Sequence, residues 1–348
     1  MMARTTISNV AEEAGVSVST VSRALRGLDK VNPDTRKRVE AAAERLNFSF
    51  SKSASSLASG KTMKVAVLLP NEISSWFNSH AFEGIYEVLS KQGYDVIPNV
   101  MWEQRDLDRF FKALPNNQNV DAVIVVSFDL DDDKKRILSE LTVPVIGLNN
   151  PSDEGFDASA RIDDFAAMRS AVRLLHSLGH RNLAYIEQPV TSPFTCSAEA
   201  RVNGFRAAVR EVGYRDEDVL VIPSVKRSGV PGGQEEYSGI AAQLLSAPVR
   251  PTGICVEHDG CAAALVKELR RLGWDIPGEV SVIGFDDSDI ADITGLTTIH
   301  QDPVETGRQA AMRALSLMRG ECPETPYGVM PTSMVLRDTT GPAAESEA

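Results

Sequence analysis

From residue 64 onward the chain repeats one pattern: a short run of Val, Ile, Leu and Ala, then a longer amphipathic stretch. The runs are KVAVLLP (64–70), YDVIPN (94–99), VDAVIVVS (120–127), VPVIGLN (143–149), NLAYIE (182–187), DVLVIP (218–223), TGICVE (252–257) and VSVIGFDD (280–287). Runs this short and this rich in β-branched residues read as strands buried on both faces, the condition of parallel sheets. Parallel neighbours need long crossovers, and 81–92, 166–178, 198–212 and 260–272 have the apolar spacing of helices that would supply them. Eight strands in two sets of four are too many for one small sheet. The reading is two open α/β lobes, parallel sheets covered by helices, with a cleft between them.

In such sheets a ligand sits beyond the carboxyl ends of the strands. The residues there are Trp76 and Phe77, Trp102, Asp163 and Asp164, Arg201, His258 and Asp259, Asp286 and Asp287, and Gln301. Aromatics stack on the apolar face of a ring, while carboxylate and guanidinium groups bond pairs of hydroxyls, so the set suits a sugar-like ligand. Each has a plainer reading. Trp76 and Phe77 serve equally well as core. Trp274 reads as packing, and His180 as a residue that orders a turn. The acid-first run DLDDDKKR (129–136) reads as a helix start that matches the helix dipole, not as a metal site. No metal and no cofactor is expected.

The first 62 residues have another character. They hold ten Lys/Arg against six Asp/Glu, a net of +4, while the remainder holds 26 against 42, a net of −16. A small basic head on an acidic body points to a polyanion met by the head alone. Thr6 can cap a helix over 7–13, and Gly15 allows a tight turn. Ser17 can cap a second helix over 18–26, and Asn32-Pro33 begins a third that runs to about Leu46. On the second helix Val18, Ser22 and Arg26 share a face, as do Ser19 and Arg23, away from the apolar Val21, Ala24 and Leu25. Short polar side chains with arginines fit a DNA major groove. Taken alone, a solvated helix face explains them as well.

The stretch TTISNVAEEAGVSVSTVSRALRGLDKVNPDTRKRVEAAAERLNF resembles the DNA-binding head of the LacI/GalR family of bacterial transcription regulators at nearly every position. The resemblance implies that Val18, Ser19 and Arg23 read bases, that Thr20 and Ser22 lie near phosphates, and that Thr6, Asn32 and Thr35 anchor helix ends on the duplex backbone. By composition FSFSKSASSLASGKT (48–62) is a flexible linker. The resemblance implies that it folds as a hinge helix on the operator. Leu57 would then be wedged into the minor groove, with Ala54 one turn earlier. Phe50, Ser51 and Ser55 stand where the family often has Pro, Asn and Arg, which implies fewer phosphate contacts.

The body is similar to the same family through LLHSLGHRNLAYI, ARVNGFRAAV, GEVSVIGFDD and LTTIHQDPVETGRQAAMRAL, and through it to periplasmic sugar-binding proteins. This implies that Arg201 and Asp286 hold the ligand, that Trp76 and Phe77 form an aromatic wall, and that Gln301 belongs to the cleft. His258 replaces the family's usual Asn. An imidazole can titrate near neutrality, which opens the effector class to an unusual sugar or an acidic metabolite.

The expected layout is a helix-turn-helix domain over 1–47, a hinge over 48–62, and a two-lobed domain over 63–340. In that domain 63–160 joins 294–323, and 161–293 joins 324–340. The acidic tail 341–348 reads as disordered. The four cysteines, with no paired spacing, read as reduced thiols, and neither a signal peptide nor a membrane span is seen. The expectation is a cytoplasmic homodimeric repressor that binds a pseudo-palindromic DNA operator under the control of a small effector, with no membrane partner. An activator or a co-repressor-dependent regulator is the alternative. A receptor or enzyme is least favoured, since the chain lacks a phosphate-cradling glycine loop, a G-x-S-x-G elbow and HExxH. Nonspecific chromosome packaging would show little sequence preference and a dominant salt effect.

Overall fold

The computed structural model describes residues 5–25, 31–48, 61–117, 119–140, 143–188, 194, 196–223 and 234–344. Two compact units divide the chain, residues 1–63 and 64–348.

The first unit holds three helices, α1 (Ile7–Ala14), α2 (Val18–Leu25) and α3 (Pro33–Arg45). Thr6 opens α1 with a capping box in which Asn9 takes the place of the usual Glu: Asn9 N–H donates to Thr6 Oγ1, and Thr6 N–H donates to Asn9 Oδ1. Gly15 closes α1 at φ 63°, in the left-handed region, where its N–H reaches the carbonyls of Ala11 and Glu12. Val10, Ala11, Ala14, Val21, Ala24, Val39, Ala42 and Ala43 form the core. Small side chains at these positions let three short helices approach closely. An exposed Glu13–Arg45 pair joins α1 to the end of α3 at 3.2 Å, a contact of the kind worth ~0.2–1 kcal/mol.

The second unit contains two six-stranded sheets. The first is built from β1 (Lys64–Leu69), β2 (Asp95–Val100), β3 (Ala122–Val126), β4 (Val145–Leu148), β5 (Ala158–Ile162) and β11 (Tyr327–Met330), in the order β11-β5-β4-β3-β1-β2 and parallel throughout. The second holds β6 (Leu183–Ile186), β7 (Val219–Ile222), β8 (Gly253–Val256), β9 (Ser281–Asp286), β10 (Thr297–His300) and β12 (Ser333–Val335). Its order is β12-β10-β9-β8-β6-β7, antiparallel only at the β12 edge. The central strands β1, β3, β4, β8 and β9 are almost wholly buried, as their unbroken apolar runs require. Pro98 is tolerated in β2 because that strand lies at an edge.

Helices α4 (Trp76–Lys91), α5 (Gln104–Asn117), α6 (Asp132–Ser139) and α12 (Pro303–Met318) belong to the first sheet's sequence segments, and α7 (Asp164–Ser177), α8 (Ala198–Glu211), α9 (Gln234–Ser246), α10 (Asp259–Arg271) and α11 (Asp289–Thr294) to the second's. Gly84 on α4 and Gly307 on α12 let these two helices cross closely. A Cβ on either would run into the other helix's backbone carbonyl, Val304 or Ala81 respectively. In the run 129–136, Asp131 caps α6 by accepting from Lys134 N–H at 2.9 Å, so these acids do start a helix.

Two assignments need correction. β10 was placed with the first lobe but pairs with β9 in the second sheet, and β11 was placed with the second lobe but pairs with β5 in the first. The chain passes between sheets just after β5, after β10 and after β11, where the sequence reading put the last two passages earlier. β5, β10, β11 and β12 are also absent from the eight runs read as strands. They are short, they carry Ser, Thr or Gly, and only partners distant in sequence decide which sheet takes them.

The expected disordered tail is corrected at its beginning. Ser281 Oγ donates to Gly341 O and accepts from Gly341 N–H, His180 Nε2 lies 3.1 Å from Gly341 O, and Ala343 N–H donates to Leu178 O. Gly341 and Ala343 are therefore bonded to the second lobe; 345–348 lie outside the described residues. His180, 1% exposed, anchors this segment and not a ligand.

Candidate functional site

In the first unit, burying Val21 and Ala24 turns the opposite side of α2 outward. Val18 is 44% exposed, Ser19 and Arg23 are exposed, and Thr20 and Ser22 are half-buried. Ser17 holds the first turn: its Oγ accepts from Thr20 N–H and lies 2.8 Å from the hydroxyls of Ser19 and Thr20. An exposed Val between two short hydroxyl residues can meet a thymine methyl while the backbone stays close to the groove floor. Asn32 caps α3 by accepting from Asp34 N–H at 2.9 Å, and Thr35 is half-buried in the next turn. Thr6 and Asn32 thus have a capping role beside any contact to a duplex. Ala54 and Leu57 of the hinge lie outside the described residues, as does Arg26.

In the second unit a cleft of about 490 Å³ lies at the carboxyl ends of the strands. The first turns of α4, α8, α10 and α11 line it. It brings together five of the seven residues read as effector-binding: Trp76, Phe77, Arg201, His258 and Asp286. Trp76 and Phe77 are half-buried and line the cleft, so the core reading does not describe them. Trp102 is 51% exposed and is not part of the lining, and Trp274 is packed in the second lobe's core.

Asp164 and Gln301 do not line the cleft. They sit behind it, 5% and 3% exposed, at two of the passages between sheets. Each holds a residue that does line it. Arg201 Nε donates to Asp164 Oδ1 at 2.7 Å, and Gln301 Nε2 donates to Asp286 Oδ1 at 2.7 Å. Arg201 also donates from Nη1 to the Glu257 carbonyl at 2.7 Å, lies 3.7 Å from Asp286 Oδ1, and covers the Phe285 ring at 3.6 Å from its centroid. Contacts at Nε, at Nη1 and over the Phe285 ring hold the guanidinium in one orientation at the cleft.

Burial dominates the electrostatics. It raises Asp286 to about 7 despite the neighbouring Arg201, and Glu257 likewise to about 7. Asp286 also sits at φ 117°, a conformation L-residues rarely adopt, at the turn that ends β9. The expectation of a histidine titrating near neutrality is corrected: burial, then Arg201, lower His258 to about 4, so the ring is neutral at pH 7. Its Nδ1 accepts from Cys261 N–H at 3.3 Å and caps α10. The Asn-to-His change therefore keeps a helix-capping acceptor and adds no positive charge.

The sequence reading missed Asn71, Ser127, Asn149, Gln188, Ser197 and Glu257 in the lining. The strand-end rule covered three of them, since Ser127, Asn149 and Glu257 each end one of the quoted runs. They lacked the aromatic or paired-charge character that singled out the others. Asn149 has a joining role: its Nδ2 lies 3.4 Å from Ser197 Oγ and 3.5 Å from Asp164 Oδ2, so a strand end of the first lobe meets two helices of the second.

Residues 6–51 match the model of the bacterial regulatory proteins of the lacI family, and residues 172–340 that of a periplasmic binding protein-like domain. The chain carries a lacI-family DNA-binding domain followed by a periplasmic binding protein-like domain. Relatives that it matches over nearly their whole length are named HTH-type transcriptional regulators and repressors. It is 28% identical to catabolite control protein A of Priestia megaterium over 339 residues, 96% of this chain and 99% of that protein. Among solved structures, the Lac repressor bound to ONPG in the repressed state matches with a TM-score of 0.81 at 25% identity, over 97% of this chain and 99% of that one. The complex of the transcriptional regulator CelR with cellobiose matches with a TM-score of 0.66 at 25% identity, over 97% and 100%. Among the described residues of this chain, no helix is long and apolar enough to cross a membrane.

Proposed function

We propose that the protein is a cytoplasmic homodimeric repressor whose hold on a pseudo-palindromic operator is governed by a sugar-like effector in the cleft of residues 64–344. The convergence of Trp76, Phe77, Arg201 and Asp286 on one cleft carries this reading. It combines an aromatic wall with a fixed donor and an acceptor, the arrangement that binds a polyhydroxylated ring. The CelR–cellobiose complex supports the ligand class. Asp164 and Gln301 position Arg201 and Asp286, and His258 contributes a neutral ring.

On the DNA side, Val18, Ser19 and Arg23 read base edges, Thr20 and Ser22 approach phosphates, and Thr6, Asn32 and Thr35 set the ends of α1 and α3 on the backbone. Ala54 and Leu57 act in the hinge, a role that rests on the family resemblance alone. Two heads in a dimer read two half-sites. An effector that favours one arrangement of the lobes changes operator affinity, with a coupling typically of ~1–3 kcal/mol, and the operator must change effector affinity by the same factor.

Removal of residues 1–62 tests the division of labour. The shortened chain should keep its ligand-induced thermal shift and lose operator footprinting. A truncated protein that footprints as tightly as the full chain would refute it. Asp286→Ala in the full chain should abolish the effector response while leaving operator binding intact.

A further inference from the structure

We infer that the cleft selects a polyol carrying a protonated amino group, and that Glu257 is the residue that reads that group. This deepens the ligand reading above and rests on it.

The argument starts from charge. Among the described residues lining the cleft, Glu257, Asp286 and Asp289 are carboxylates and Arg201 is the one cation. Arg201 is already committed to Asp164, the Glu257 carbonyl and Asp286. His258 is neutral and adds nothing to the positive side. The first turns of α4 and α8 reach the cleft without a side-chain cap, and each helix end carries a partial charge of about +0.5. Positive helix ends of this kind suit hydroxyl oxygens. Above about pH 7, where Glu257 and Asp286 ionise, these helix ends and Arg201 do not balance the lining carboxylates.

Two of those carboxylates are also poorly compensated. Glu257 accepts from Gln188 N–H at 3.0 Å through Oε2, yet burial, with Glu187 and Asp164 nearby, outweighs Arg201 and lifts it to about 7. Asp286, facing Arg201, Asp259 and Asp164, is lifted to the same level. A buried carboxyl in this state gains from an ammonium partner and is penalised by a second anion. The aromatic wall of Trp76 and Phe77 favours a cation as well. A carboxylate or phosphate in the same space would meet like charge, and Arg201, the one cation among the described lining residues, already faces Asp164 and Asp286.

Matched sugars test this on the full-length protein by titration calorimetry at pH 7.5: glucosamine, glucose and glucuronate, and galactosamine, galactose and galacturonate. In at least one series the amine should bind at least tenfold more tightly than the parent hexose, and the uronate more weakly than both. Glu257→Gln, which keeps an oxygen to accept from Gln188 N–H, should bring the amine-to-hexose ratio to about one. Equal or tighter binding of the uronate, no amine preference, or a preference unchanged in Glu257→Gln overturns the inference and leaves the sugar-like effector standing. Failure of all six to bind overturns both.

Discussion

Arg201 Nε and Asp164 Oδ1 meet at 2.7 Å with both side chains less than a tenth exposed, joining the start of α8 to the start of α7. Burial pushes Asp164 upward while Arg201 pulls it down. The pair fixes the one cationic group lining the cleft, among the described residues, beside a passage between lobes. A buried pair of this kind is weak evidence for net stability, but removing one partner leaves an uncompensated charge.

Asp164→Ala should therefore destabilise the second unit by ~3–5 kcal/mol, read as a lower urea midpoint of the full chain. Asp164→Asn, which keeps a hydrogen-bond acceptor for Nε, should lose less. A change below ~1 kcal/mol in the alanine variant would mean that Arg201 finds its compensation elsewhere.

Arg23→Ala should weaken operator binding by ~1–3 kcal/mol and relax the choice of base at one position in each half-site. Titration of labelled duplexes substituted base by base is the measurement. A loss that is uniform across all duplexes would reassign Arg23 to phosphate contact.

Gly15→Ala tests the turn between α1 and α2. Nothing lies within 4 Å of an added Cβ, so space is not limiting, but φ 63° is unfavourable for an L-residue. The cost should be ~1–2 kcal/mol, confined to the first unit. In calorimetry of the full chain, the head's transition should move down in temperature while that of residues 64–348 stays in place. Movement of both would show that the two units unfold together.

Stability should also respond to pH through the cleft. Asp286 has a folded value of about 7 against an ordinary 3.8, so the native state holds its proton longer than the unfolded chain. Its contribution is fully present below pH ~4 and is lost as pH rises through 7. His258, lowered to about 4 from 6.5, acts in the opposite sense: its contribution is present above 6.5 and is lost as pH falls through 4. Glu257, raised like Asp286, adds to the first trend. The urea midpoint of Asp286→Asn should hold up better than the wild type's as pH rises from 5 to 7. Parallel profiles for the two proteins would remove Asp286 as a source of the slope.

How much was readable follows from the range of the forces involved. The helices of the head were legible because Thr6, Gly15, Ser17 and Asn32 act within four residues, and Val21 and Ala24 mark the inner face by local spacing. The central strands were legible because burial on both faces demands an unbroken apolar run. Trp76, Phe77, Arg201, His258 and Asp286 were found because strand order dictates where a cleft must open. Asp164 and Gln301 were found as well, but their place behind the cleft was not. Whether a polar side chain meets ligand or holds its neighbour depends on contacts 37 and 15 residues away in sequence.

The sequence by itself determined a three-helix basic head with α2's polar side outward, and a body of two parallel sheets. Those features rest on hydrophobic period, capping and chain stiffness, which act locally. Only the tertiary structure decided that β10 and β11 exchange sheets, that His258 is neutral, and that Glu257 and Asp286 sit near 7. Strand pairing and desolvation depend on what the rest of the chain places around a residue, and no short stretch of sequence contains that information.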